Sequence, residues 1–204
     1  MLFHKVCDTF HIPYSDEVLS LYQRINLSYW KAYERGEITP AALAIARFRD
    51  FLAAVGKDGD PALMCQLYQT SLGEDCTPIH DALRVCRILY ERGYKLSIIT
   101  NGRSTTQHSR LSHSELTPMI LDLFISEELG CQKPKKEFFD VVFSKLQIPA
   151  SKALVIGDSL TSDIIGGIQY GLIHVGLIPK KAVNTMLQKP TYEIKQLNEL
   201  LSIL

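Results

Sequence analysis

Between Lys95 and Leu177, short runs of aliphatic and β-branched residues alternate with helical stretches, and this alternation constrains the fold more than any other feature. Lys95–Thr100 (Lys-Leu-Ser-Ile-Ile-Thr), Leu121–Ser126, Ala153–Ile156 and Ile173–Leu177 read as strands. Asp81–Arg92, Glu137–Leu146 and Ser162–Gly171 read as helices around them. Such an order predicts βαβ units and a parallel sheet covered on both faces. The chain before Gly73 has a different period. Leu19, Tyr22, Ile25, Tyr29 and Tyr33 recur at helical steps. Gly36 breaks that run, and Thr39-Pro40 then supplies an N-cap and first helical position for a helix from Leu43 to Val55. A turn cluster from Gly56 to Pro61 leads into a third helix containing Leu63, Leu67 and Tyr68. The expected architecture is α/β: a helical cap over residues 1–75 and a Rossmann-like parallel-sheet core over 76–204.

Lys+Arg and Asp+Glu both number 22 among 204 residues, which gives no electrostatic case for nucleic acid or an anionic membrane. No stretch approaches the roughly 20 apolar residues of a membrane span, and the N-terminal residues lack the pattern of a secretory signal. The five cysteines are scattered without a Cys-x-x-Cys pair, so they read as small buried hydrophobes of a reduced, cytoplasmic protein. The histidines show no metal-ligand spacing, and neither Gly-x-Gly-x-x-Gly nor Gly-x₄-Gly-Lys-Ser/Thr occurs.

In an open α/β sheet the ligand binds beyond the carboxyl ends of the strands. The first predicted strand ends in Thr100, followed by Asn101 and Gly102. A hydroxyl there, a glycine permitting a tight turn and the start of the next helix together suit an anion. A threonine capping the next helix is the plainer reading. The second strand leads to Lys133-Pro134, where a lysine could neutralise phosphate or carboxylate, although one lysine is usually a solvated surface group. The third strand leads into Gly157-Asp158-Ser159-Leu160-Thr161-Ser162-Asp163. Two hard carboxylates at a strand–helix junction suit Mg²⁺, which takes one or two protein carboxylates and keeps waters. Capping and dipole complementation by Asp158 and Asp163 is the alternative.

Strand–Thr-Asn-Gly, then Lys-Pro, then strand–Gly-Asp-x₄-Asp, in that order, resembles the second, third and fourth motifs of the haloacid dehalogenase superfamily. Tyr22–Thr39, Gln132–Glu137 and Pro190–Ile194 further resemble its bacterial pyrimidine 5′-nucleotidase subgroup. The resemblance implies a Mg²⁺-dependent phosphohydrolase working through an aspartyl-phosphate. It gives Thr100, Asn101, Gly102 and Lys133 to the phosphoryl group, with Asp158 and Asp163 at the metal. The implied substrate is a small phosphorylated metabolite, with a nucleoside monophosphate first in line. Trp30, Tyr29 and Tyr33 could stack on a base, or could simply be cap core. A dehalogenase fits less well, because the Asp158/Asp163 pair argues for a metal.

The family's first motif, Asp-x-Asp-x-Thr, is not found. Lys5-Val6-Cys7-Asp8-Thr9 would put lysine at the nucleophile position. Phe3, Val6, Cys7 and Phe10 instead have helical spacing, so residues 1–10 are expected to form a cap helix. The resemblance places the absent strand centrally, between those ending at Thr100 and Ile156, so the sheet is expected to lack its middle. A truncated or misassigned start is the favoured explanation, and the chain as written is expected to be inactive. The competing class is a non-catalytic regulatory or binding relative that keeps a phosphate and metal pocket.

Overall fold

A computed structural model describes residues 2–178 and 189–204; Met1, part of the first predicted helix, lies outside them. The chain divides into two compact units, Met1–Cys76 with His108–Arg110, and Thr77–Gln107 with Leu111–Leu204.

The first unit is helical: α1 (Leu2–Thr9), α2 (Asp16–Glu34), α3 (Pro40–Ala54) and α4 (Pro61–Glu74). Three of these starts are written in short side chains. The Ser15, Thr39 and Asp60 oxygens accept from the amides of Val18, Ala42 and Ala62, and proline follows both Thr39 and Asp60. The apolar faces meet in an aromatic core. Phe3 stacks on Tyr22 with ring centroids 4.1 Å apart, and Phe51 lies edge-on to both. Cys7 is buried there, and burial, with a smaller contribution from Asp8, pushes its thiol up to about 11. That thiol is structural. Arg47, which the period did not single out, is also buried. Its Nη1 donates to Asn26 Oδ1, and its guanidinium lies 4.7 Å from the Phe48 centroid.

The second unit carries α5 (Ala82–Glu91), β1 (Leu96–Thr100), α6 (Ser104–Ser112), β2 (Ile120–Ile125), the one-turn α7 (Ser126–Leu129) and α8 (Lys136–Leu146). It continues through β3 (Leu154–Gly157), a wide turn over Leu160–Ile164, α9 (Ile165–Tyr170), β4 (Ile173–Leu177) and β5 (Tyr192–Ile194). β5 is too short for periodicity to show. All strand pairings are parallel, but they fall into two sheets, β1–β2 and β3–β4–β5. The interruption comes where the central strand was expected to be missing. It shows in burial too: every residue of β1 is only half-buried, and Ile156 of β3 is 37% exposed. Central strands of a parallel sheet are normally covered on both faces.

The two sheets nonetheless share their cores. Ile99 and Val155 pack into one apolar cluster with Phe124, Phe138 and Phe139. Leu96 and Leu154 pack into another with Val85, Val175 and Leu200. β1 and β3 thus contribute to the same two layers without pairing.

Truncating Phe51 removes a ring with no solvent exposure from the helical core. Phe51→Ala is expected to cost about 3–5 kcal/mol in chemical denaturation. A loss below about 1 kcal/mol would contradict the packing described.

Candidate functional site

Asn101, directly after β1, turns its side chain to the backbone of Lys133, in the loop between α7 and α8. Its Nδ2 donates to the Lys133 carbonyl at 2.9 Å, and its Oδ1 accepts the Lys133 amide at 3.0 Å. One amide group thus satisfies both backbone groups of one residue, as a neighbouring strand would. The resemblance gives Asn101 to the phosphoryl group. Its side chain does the visible work, clamping one loop to the other.

The clamp fixes where the lysine leaves the backbone. Lys133 is buried, not solvated, and its Nζ donates to the Ile99 carbonyl at 3.0 Å and to Asp163 Oδ1 at 2.7 Å. Asp163 is likewise buried, and its second oxygen accepts the Ser159 amide at 3.2 Å. A buried ammonium and a buried carboxylate are tolerable together because each compensates the other's desolvation. Gly157 is needed at the end of β3, since a Cβ there would overlap the Asp163 carboxylate.

The remaining predicted residues are arranged less simply. Thr100 Oγ1 accepts the Gly102 amide at 3.0 Å, so both groups are satisfied within their own turn. Gly102 is not in the left-handed region, and its bare face is covered by the Gln107 side chain. The turn therefore does not require glycine for its backbone angles. The positive end of α6, expected to face an anion, is taken by acidic side chains after β2. Glu127 Oε2 accepts the Ser104 amide at 2.6 Å, and Glu128 Oε1 accepts the Ser104 hydroxyl at 2.5 Å. Ser159, not Asp158, caps the wide turn, its Oγ accepting the Ser162 amide at 3.1 Å. Asp158 stands exposed at the end of β3.

The structure thus brings Asn101, Lys133 and Asp163 into one connected group, with Thr100–Gly102 beside Asn101 in sequence and Asp158 just beyond β3. Such an assembly offers a buried cation, a hydroxyl and an exposed carboxylate at the carboxyl ends of β1 and β3. It can hold and neutralise an anion.

In the helical unit Tyr33 is buried and Trp30 lies edge-on to it at 5.9 Å, while Tyr29 donates to Asp50 at 2.5 Å. Two of the three aromatics are thus engaged with one another.

Residues 6–171 match the model of haloacid dehalogenase-like hydrolases. The chain is 40% identical over 195 residues to the HAD-hydrolase YfnB of Bacillus subtilis, spanning 95% of this chain and 83% of that one. It is 33% identical to the pyrimidine 5′-nucleotidase PynA of Streptococcus pneumoniae, over 90% and 78% of the two chains. It is 31% identical to the pyrimidine 5′-nucleotidase YjjG of Escherichia coli, over 96% and 86%. A crystal structure of YfnB bound to magnesium superposes with a TM-score of 0.91 at 37% identity, covering 99% of this chain and 89% of that one.

The buried ion pair has a measurable consequence. Lys133→Met leaves Asp163 buried without its cation and is expected to cost about 3–5 kcal/mol in chemical denaturation. Lys133→Met with Asp163→Leu should recover much of that loss. Equal losses in the single and double variants would contradict the pairing.

Proposed function

We propose that this chain, which belongs to the haloacid dehalogenase-like hydrolase family, is built on the site of a Mg²⁺-dependent phosphomonoesterase, with no Asp-x-Asp-x-Thr run among residues 1–204. The observation that carries this reading is the Asn101–Lys133–Asp163 group, poised at the carboxyl ends of two parallel strands. Lys133 and the Thr100 hydroxyl neutralise and orient phosphoryl oxygens, and Asn101 holds the Lys133 backbone in place. The helical unit, residues 1–75, serves as the cap that excludes water. The substrate is a small phosphorylated metabolite. A nucleoside 5′-monophosphate is favoured by the two pyrimidine nucleotidases among the relatives.

The donor set fits Mg²⁺. No group of three potential ligands occurs among the described residues, yet this cation needs only one or two carboxylates and keeps several waters. Asp158, exposed at the strand end, would hold it. Asp163, already engaged by Lys133 and Ser159, would orient its surroundings. When bound, Mg²⁺ supplies charge to the transferring phosphoryl group. The setting is taken as cytoplasmic; no described helix is long and apolar enough to cross a membrane.

A regulatory relative that binds a phosphorylated ligand without turnover is the second reading, and the interrupted sheet favours it for the chain alone. Both readings are tested by isothermal titration with Mg²⁺ and a pyrimidine nucleoside monophosphate, beside a phosphate-release assay. Joint binding without turnover is expected, weakened at least about tenfold by Asp158→Asn. Turnover abolished by Asp158→Asn would overturn the claim that the chain alone is inactive. Absence of any binding would overturn the site.

A further inference from the structure

We propose that the core of the helical unit holds a binding site for one small carboxylate, of formate or acetate size, built on Arg47 and Tyr22. The site shares no residue with the Asn101–Lys133–Asp163 group.

Arg47, on α3, is a buried cation without a counter-charge. It is 3% exposed, and among the described residues no carboxylate pairs with it. Its Nη1 donates to Asn26 Oδ1 at 2.6 Å, which is a neutral acceptor. The rings of Phe48 and Tyr68 lie 4.7 and 5.4 Å from its central carbon. Rings attract a cation but bring no opposite charge to balance it. A guanidinium keeps its proton at any ordinary pH, so it cannot escape burial by becoming neutral as a lysine can. Its Nε is buried with no hydrogen-bond partner.

Tyr22, from α2, carries a second buried atom of the same kind: its hydroxyl also has no hydrogen-bond partner. The ring is held in place by stacking on Phe3 and Phe48, with centroids 4.1 and 5.6 Å away. Burial pushes the hydroxyl far above the ordinary tyrosine range, and the Arg47 cation pulls the other way. Tyr68 and Cys65 add smaller upward pulls, although the Tyr22 and Tyr68 hydroxyls do not meet as a hydrogen bond. The Tyr22 hydroxyl thus stays protonated, within electrostatic reach of Arg47. Buried polar groups are normally satisfied by protein, water or an ion. Here one group is a cation and both can donate, so the missing partner is an anion.

Charge and geometry select its class. One guanidinium balances one negative charge. Its adjacent N–H groups form a planar fork that matches the two oxygens of a carboxylate, and the Tyr22 hydroxyl adds a further donor. Phosphate carries more charge and more oxygens than these donors compensate, which makes it costly to bury here. Phe48, Tyr68 and Cys65 crowd the site and keep the ligand small. Asn26 and Tyr68 are only half-buried and give access from the surface.

The test follows the Arg47 Nε–H resonance of the ¹⁵N-labelled full chain in a carboxylate-free buffer, identified by its loss in Arg47→Lys. Sodium formate, acetate, chloride and phosphate are titrated at constant ionic strength, with denaturation midpoints measured alongside. Formate and acetate are expected to shift the resonance saturably, to slow its exchange with water at least about tenfold and to raise the midpoint. Tyr22→Phe keeps the stacked ring and should weaken binding about tenfold, since a hydrogen bond to a charged group is lost. Arg47→Lys should abolish the rise in midpoint. An Nε–H indifferent to every added anion would show that water alone satisfies it and would overturn the site. An equal response to chloride or phosphate would overturn the carboxylate class. Unchanged affinity in Tyr22→Phe would overturn the part given to Tyr22, and that variant decides the matter even where Arg47→Lys does not fold.

Discussion

The ion pair between Lys133 and Asp163 is the contact on which the α/β unit depends. It carries two buried charges across the interval between β1 and β3, where no described strand runs. A charge pair in such a place is costly to desolvate and is sustained by its surroundings: the Ile99 carbonyl and Ser159 amide take part, and Asn101 anchors the lysine's own backbone. Without the pair the two sheets still share their apolar cores, but the charged link between the carboxyl ends of β1 and β3 is lost. The candidate chemistry and the cohesion of the unit therefore rest on the same atoms.

This double role explains the mixed character of the site. A surface built only to bind an anion would leave the lysine solvated and the helix terminus of α6 open. Instead the lysine is buried and Glu127 and Glu128 cover that terminus. The acidic cover tightens the loop after β2 against the loop after β1, which are the two loops that Asn101 joins. What stays exposed is Asp158, the residue best suited to take a hydrated cation.

Much of this was legible in the sequence because its causes are local. Ser15, Thr39-Pro40 and Asp60-Pro61 announce helix starts, and β-branched runs announce the strands, because capping and alternation act within a few residues. The order Thr100-Asn101, Lys133, Asp158 and Asp163 at successive strand ends pointed to a single site. The failures are tertiary. That Asn101 works through its side chain depends on a loop 32 residues away. That Glu127 and Glu128 sit on Ser104, and that Arg47 lies against Phe48, depends on packing no short pattern records. β5 has only three residues, too few for any period to show.

Native-state hydrogen exchange of the chain alone, resolved strand by strand, tests the central claim most directly. An interrupted sheet predicts that amides of β1 and β3 exchange at the fast rates of edge strands, while β4, flanked by β3 and β5, is protected most strongly. Exchange in β1 and β3 as slow as in β4 would mean that both are already paired as central strands, and would contradict the account.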